Sequence, residues 1–174
     1  MRPKYAVAML LALGTTSGAY AENSFQAKML LAHNLERQSV NVIPMTWDRR
    51  LAFDADAHAA ELAGNGHWGH SSPDRRMGQG ENLWMGTRAA FGLVDMFAAW
   101  SSEKRMFRPG VFPNVSRNGS WNGVGHYTQI VWPTTTRVGC GLRSSAHWDY
   151  LVCRYSSPVN VVGDRIGEDL LAAR

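Results

Sequence analysis

The sequence predicts an α+β domain in which helices cover a small sheet. Two observations carry this reading. Three amphipathic helical segments follow one another before residue 107, and two cysteine-bearing strands come late in the chain. No internal repeat, low-complexity tract or linker divides these elements into two units. The chain has 174 residues, enough for one domain with its own core. Its 45% hydrophobic and 18% charged residues are those of a globular chain, not a disordered one.

Residues 1–21 have the three parts of a signal peptide in order. Arg2 and Lys4 make the basic start, Ala6 to Leu13 the apolar run, and Ala19-Tyr20-Ala21 the small-x-small cleavage site. The run is shorter than the roughly 20 apolar residues of a bilayer-spanning helix. No second long apolar segment follows, so the mature chain is expected to be exported with no transmembrane segment, and to be extracellular or periplasmic. Its formal charge falls from +4 to +2 when Arg2 and Lys4 leave. That bias is too weak to indicate nucleic acid as a partner.

The first helix is expected over Ser24 to Arg37. Ser24 can cap it, and Ala27, Leu31 and Leu35 recur at four-residue spacing. The second starts after Asp48, a good N-cap. Leu51, Ala55, His58 or Ala59, and Leu62 form its stripe, and Gly64-Asn65-Gly66 stops it. The third covers about Phe91 to Met106, with Leu93, Val94, Phe97 and Trp100 as its apolar face. Between the second and third helices lies an irregular stretch rich in Gly and Ser. Arg108 to Gly125 is a second one.

The two strands surround Cys140 and Cys153 and are separated by a Ser-Ser-Ala-His turn. Such a hairpin brings the two cysteines together on one face. An even cysteine count in an exported chain implies a disulfide, with two free buried thiols as the alternative. Closing a loop of about 15 residues stabilises by about 3 kcal/mol on the chain-entropy estimate.

One motif is a decoy. Gly64-Asn65-Gly66-His67-Trp68-Gly69 spells the dinucleotide fingerprint, but it follows a helix and opens none, so the phosphate-cradling turn is missing. No G-x-S-x-G, H-E-x-x-H or Walker pattern occurs. What remains is a set of imidazoles and carboxylates in unusual settings. His67 and His70 sit in a Gly/Ser loop, and Glu81 lies between glycine and apolar residues. Glu103 stands three positions after Trp100, on the apolar side of its helix, and His126 precedes an apolar run. A carboxylate on an apolar face needs a partner. Spacing alone leaves these groups as either a polar cluster or separate structural residues.

Six ordered motifs sharpen the choice. His33-Asn34-Leu35-Glu36-Arg37, Trp68-Gly69-His70-Ser71, Gly80-Glu81-Asn82-Leu83, Trp100-Ser101-Ser102-Glu103, the stretch Gly125-His126-Tyr127-Thr128-Gln129-Ile130-Val131-Trp132, and Tyr150 to Tyr155 resemble the signatures of the CAP superfamily. That superfamily holds the cysteine-rich secretory proteins, antigen 5 and the class-one pathogenesis-related proteins. The resemblance runs over about residues 25–163 and leaves 164–174 as a C-terminal tail. It implies a three-layer α-β-α sandwich around a three-stranded antiparallel sheet. It also implies a cleft with a tetrad of His70, Glu81, Glu103 and His126, in which His70 and His126 can hold a divalent metal, usually zinc. The small cysteine count is that expected of a bacterial member. Val159 replaces the family's glycine before Asn160, and no cysteine-rich module follows the domain.

The expected function is a secreted binding protein. The ligand classes in view are a lipid or sterol, a glycan or other cell-wall ligand, or a defence-related extracellular partner. The loop with Phe107, Val111, Phe112 and Trp121 is the candidate lipid-contacting segment. The second reading is a metal-assisted hydrolase such as a peptidase, with Glu81 or Glu103 as general base.

Overall fold

In the computed structural model, residues 17–167 are described, with side chains from Ser24 onward. Most of the signal-peptide segment and the end of the tail lie outside the described residues. Helix α1 (Ser17–Ser39) leads into strand β1 (Thr46–Trp47) and helix α2 (Arg49–Asn65). A one-turn helix α3 (Pro73–Arg76) precedes β2 (Gly80–Thr87). Helix α4 (Leu93–Ser101) runs into a 3-10 turn, Ser102–Arg105. Then come β3 (Gly110–Val111), helix α5 (Gly125–Ile130), β4 (Arg137–Ser144), β5 (Trp148–Tyr155) and β6 (Arg165–Ile166).

The main sheet has the order β1-β4-β5-β2. The three long strands are antiparallel, as expected, and β1 adds a two-residue parallel pairing with β4 at the edge. A separate two-stranded sheet joins β3 to β6. Side chains alternate between the two faces of a strand. On one face, Leu83, Tyr150 and Val152 pack with Ala55, Ala59 and Leu62 of α2. On the other, Leu151, Cys153 and Tyr155 join Met29, Phe97, Trp100, Tyr127 and Ile130 from α1, α4 and α5. Helices on both faces make the α-β-α sandwich. Burying side chains of this size stabilises by about 1.5–3 kcal/mol each.

Helix α2 is as the sequence predicts. Asp48 accepts from the Arg50 and Leu51 amides at 2.8 and 3.1 Å, and Gly66 closes the helix in the left-handed conformation. It lies unusually close to β4. A Cβ at Gly139 would overlap the backbone of Asp48 and Ala52, and one at Gly141 the backbone of Asp56. Cys140, between these glycines, faces the opposite layer and is bonded to Cys153, its cross-strand partner.

Helix α1 differs from expectation. It begins at Ser17, so Ser24 is inside it and caps nothing. Ala27, Leu31 and Leu35 face outward, the two leucines 59% and 56% exposed. The buried stripe is Met29, His33 and Arg37. The polar members win because each of their polar groups finds a partner inside.

The stretch left irregular by the sequence contains β2, whose pattern runs from buried to alternating rather than alternating throughout. Helix α4 starts at Leu93, two residues late, and Val94 is 78% exposed while Met96 takes the buried position. Within the expected tail, Arg165 and Ile166 form strand β6. They pair with Val111 and Gly110, and Ile166 is buried in the main core.

Candidate functional site

The site forms at the outer edge of β2, where the α2 layer and the α5 layer meet. His70 lies in the loop after α2. That loop is pinned from behind by His58 of α2, whose Nε2–H donates to the Gly69 carbonyl at 3.0 Å. His70 Nδ1 stands 2.7 Å from Glu81 Oε1. The carboxylate only accepts, so Nδ1 carries the proton. Glu81 also accepts from the Ser71 amide at 3.0 Å and the Ser71 hydroxyl at 2.9 Å. Arg154 is directly opposite Glu81 in the β2–β5 register, and its Nε is 2.9 Å from Glu81 Oε2. This is an ion contact without an aligned hydrogen bond, since the Nε–H itself has no hydrogen-bond acceptor among the described residues. A second Arg154 nitrogen, Nη2, donates to the Ser71 hydroxyl.

Burial of Glu81 would by itself raise its carboxyl pKa. The hydrogen bond from His70 and the charge of Arg154, with smaller contributions from His58 and Ser71, outweigh it and hold the group below its ordinary value. Glu81 is therefore ionised at neutral pH, with its side chain wholly inside the wall.

The second half repeats this logic on the other layer. Glu103 comes from the 3-10 turn after α4 and caps the start of α5. Its Oε2 accepts from the His126 and Tyr127 amides at 2.9 and 3.0 Å, two of the amides a helix start leaves unpaired. Its Oε1 accepts from His126 Nδ1 at 2.7 Å. Trp100 stacks on the imidazole with ring centroids 6.2 Å apart, and its own Nε1–H donates to the Leu83 carbonyl. Asn82 donates to the His126 carbonyl at 3.1 Å and to the Tyr155 hydroxyl at 3.1 Å.

The four tetrad residues thus form two carboxylate–imidazole pairs. His70 and His126 line one cleft of about 630 Å³, together with Glu81. Their side chains are 52% and 37% exposed, and neither Nε2 has a protein partner among the described residues. Glu103 sits behind His126 rather than in the cleft wall. Gly80 lets the wall close, because a Cβ there would overlap the Gln129 amide.

His67 is exposed and outside the cleft, as its lack of a motif counterpart suggests. Sequence reasoning gave no role in the site to His58, Ser71, Arg154, Arg76, Asn122 and Gln129. The cross-strand pairing of Glu81 with Arg154 would have followed once β2 was recognised as a strand. Of the sequence-predicted lipid loop, only Trp121 reaches this cleft; Phe107 and Phe112 are buried in the core. A further cluster with metal-ligand chemistry, His33 with Cys140 and Cys153, is buried beside the sheet. Its two sulfurs are committed to the disulfide.

The match with known proteins covers the same ground. Residues 30–155 fit the family model for CAP, the cysteine-rich secretory protein family. The basic form of pathogenesis-related protein 1 from Nicotiana tabacum is 38% identical over 155 residues, covering 86% of this chain and 79% of that protein. A PR-1 type pathogenesis-related protein from Sambucus nigra is 33% identical, covering 92% of each chain. Among solved structures, NaASP2 with Zn2+ has a TM-score of 0.71 at 26% identity, covering 83% of this chain and 85% of that one. BmVAL-1, at a TM-score of 0.67 and 20% identity over 83% of this chain and 82% of its own, shares the fold. With the sandwich, the disulfide and both histidine motifs in place, the chain belongs to the CAP, or cysteine-rich secretory protein, family.

Proposed function

We propose that the protein is an exported binding protein whose cleft holds a divalent metal, zinc foremost, through Nε2 of His70 and Nε2 of His126. The observation that carries this reading is the pair of carboxylate–imidazole contacts. Each glutamate fixes the proton on Nδ1 and leaves Nε2 as a lone-pair donor, the arrangement typical of metal-ligating histidines. Two imidazoles suit zinc and leave coordination positions for an exogenous ligand. The solved relative NaASP2 with Zn2+ is in keeping with it. The buried disulfide and the apolar leader fit export.

A bound metal would supply Lewis acidity, attracting an anionic or lone-pair-bearing ligand group into the cleft. The chain's own groups orient the imidazoles and line the walls. The same contacts weigh for binding over hydrolysis. Both oxygens of Glu81 and both of Glu103 are already engaged, by His70, Ser71 and Arg154 in one case and by α5 in the other. Neither carboxylate is left free to act as the general base a peptidase needs.

Elemental analysis of the zinc-incubated, desalted protein tests this. The wild-type chain is expected to retain stoichiometric zinc, and the folded His70→Ala/His126→Ala double variant to retain none. Equal zinc in both would end the assignment.

A further inference from the structure

The cleft extends beyond the tetrad, and its far walls have a chemistry the metal does not use. Arg76, at the end of α3, is the one permanent cation lining it among the described residues. Its neighbour Arg75 is paired with Glu61 at 2.6 Å, but the Arg76 guanidinium has no hydrogen bond or ion pair among the described residues. Facing the same space is Trp121. It packs edge-on against Phe112 at 5.3 Å between ring centroids and rests over Gly125, yet stays 41% exposed. Two amides complete the lining. Asn122 is exposed and makes no hydrogen bond through its side chain among the described residues. Gln129 is 1% exposed and its amide nitrogen has no partner among the described residues. An unpaired buried donor is costly, and a ligand acceptor would relieve it.

We propose that this part of the cleft binds a carboxylated glycan. Arg76 pairs with a sugar carboxylate, Trp121 stacks on the apolar face of a ring, and Asn122 and Gln129 take ring hydroxyls. The proposal rests on the reading of the cleft as a ligand site and names the ligand class. A sugar acid presents these three chemistries together: a planar anion for a guanidinium, a C–H face for an indole, and hydroxyls that both donate and accept for amides. A lipid chain would need a continuous apolar wall, whereas here the apolar lining is broken by Arg76, Gln79, Asn82, Asn122 and Gln129. The acidic groups of the tetrad do not repel such a ligand. Glu81 is neutralised inside the wall by Arg154, and Glu103 lies behind His126.

The test is calorimetric titration of the protein in EDTA with hexagalacturonide and with its methyl ester, the same chain without charge. The acid is expected to bind at least tenfold more tightly than the ester. Arg76→Gln should abolish that preference, weakening the acid at least tenfold more than the ester. Trp121→Ala should weaken both ligands about tenfold. Asn122→Asp, at an exposed position, should weaken the acid more than the ester, because it adds a negative charge beside the bound carboxylate. Equal binding of acid and ester, no binding of either, or a preference that survives Arg76→Gln overturns the proposal. Zinc retention is measured on an EDTA-free portion of each preparation, zinc-incubated and desalted. A protein that retains zinc through His70 and His126 yet binds neither sugar loses the glycan proposal alone. One that binds the acid but retains no zinc loses the metal reading alone.

Discussion

Glu103 shows how one side chain can do two jobs that are separable by substitution. One oxygen holds the His126 imidazole and the other holds two amides at the start of α5. In Glu103→Gln the single carbonyl oxygen can serve only one of these. The amide nitrogen would meet another donor, either the imidazole N–H or the backbone pair. We therefore expect zinc affinity, measured by competition with a chromogenic chelator, to fall about 10- to 100-fold, the usual effect of removing a carboxylate that orients a ligating histidine. Stability to urea should fall by about 1–3 kcal/mol, because a buried donor is left unpaired. A variant with unchanged zinc affinity would show that Glu103 serves only the helix. Gly80 makes a second residue-level case. Gly80→Ala must displace the Gln129 amide from the wall. The obstructing atoms are the far end of a flexible side chain, so the cost is expected near the lower end of the about 1–3 kcal/mol of overpacking, read as a small drop in melting temperature. An unchanged melting temperature would mean the wall is looser than its geometry implies.

At the scale of elements, Arg37 explains why α1 turns the way it does. Among the described residues its guanidinium is buried without a carboxylate partner and donates to four carbonyls: Ile43 at 2.7 Å, Ile130 and Trp132 at 2.9 Å, and Thr135 at 2.8 Å. Burial lowers its pKa to about 10, the nearby Tyr155 opposing, and this leaves it charged at neutral pH. Those carbonyls belong to the loop after α1 and to the chain leaving α5, so Arg37 ties the first helix to the segment that carries His126. Arg37→Lys keeps the charge but not the fork, and two or more carbonyls lose their donor. A loss of about 3 kcal/mol or more in urea unfolding is expected; retention of full stability would show that the carbonyls find other donors. The same residue shows where the sequence was misleading. Helix α2 was legible end to end, because its cap, its apolar stripe and its terminal glycine all agree. In α1 the apolar letters Leu31 and Leu35 point outward while His33 and Arg37 point in, and only their distant partners, 93 to 122 positions away, make that favourable. Strand β2 was hidden for a related reason. Its first four residues are buried regardless of polarity, so Glu81 and Asn82 break the alternation that would mark a strand. The tetrad itself was readable through its motifs. The rest of the cleft wall was not, since Arg76, Trp121 and Gln129 carry no mutual spacing signal and meet only in the folded chain.

Across the whole molecule, one buried polar chain crosses from the outer helix to the cleft. His33 Nδ1 donates to the Met29 carbonyl at 2.7 Å, and its Nε2 accepts from the Tyr155 hydroxyl at 2.9 Å. Asn82 donates to that same hydroxyl and to the His126 carbonyl. This order of donors requires a neutral imidazole at His33, and burial enforces it. Desolvation, aided by the charge of Arg37 and opposed by the Met29 carbonyl, lowers the His33 pKa from 6.5 to about 4. The unfolded chain, by contrast, takes up the proton near pH 6.5. Stability from this group is therefore complete above about pH 6.5 and is lost as pH falls toward 4, because protons then favour the unfolded state. Between pH 7 and pH 5 the loss amounts to about 2 kcal/mol. The measurement is a comparison, urea unfolding of the wild-type chain and of His33→Gln at both pH values, so that every contribution common to the two chains cancels. The variant keeps a group able to pair with Tyr155 and cannot be protonated, so its loss on acidification should be smaller than the wild type's by about that amount. Equal losses in the two chains would mean that His33 takes up its proton within the fold. The donor order along the chain to His126 would then have to run the other way.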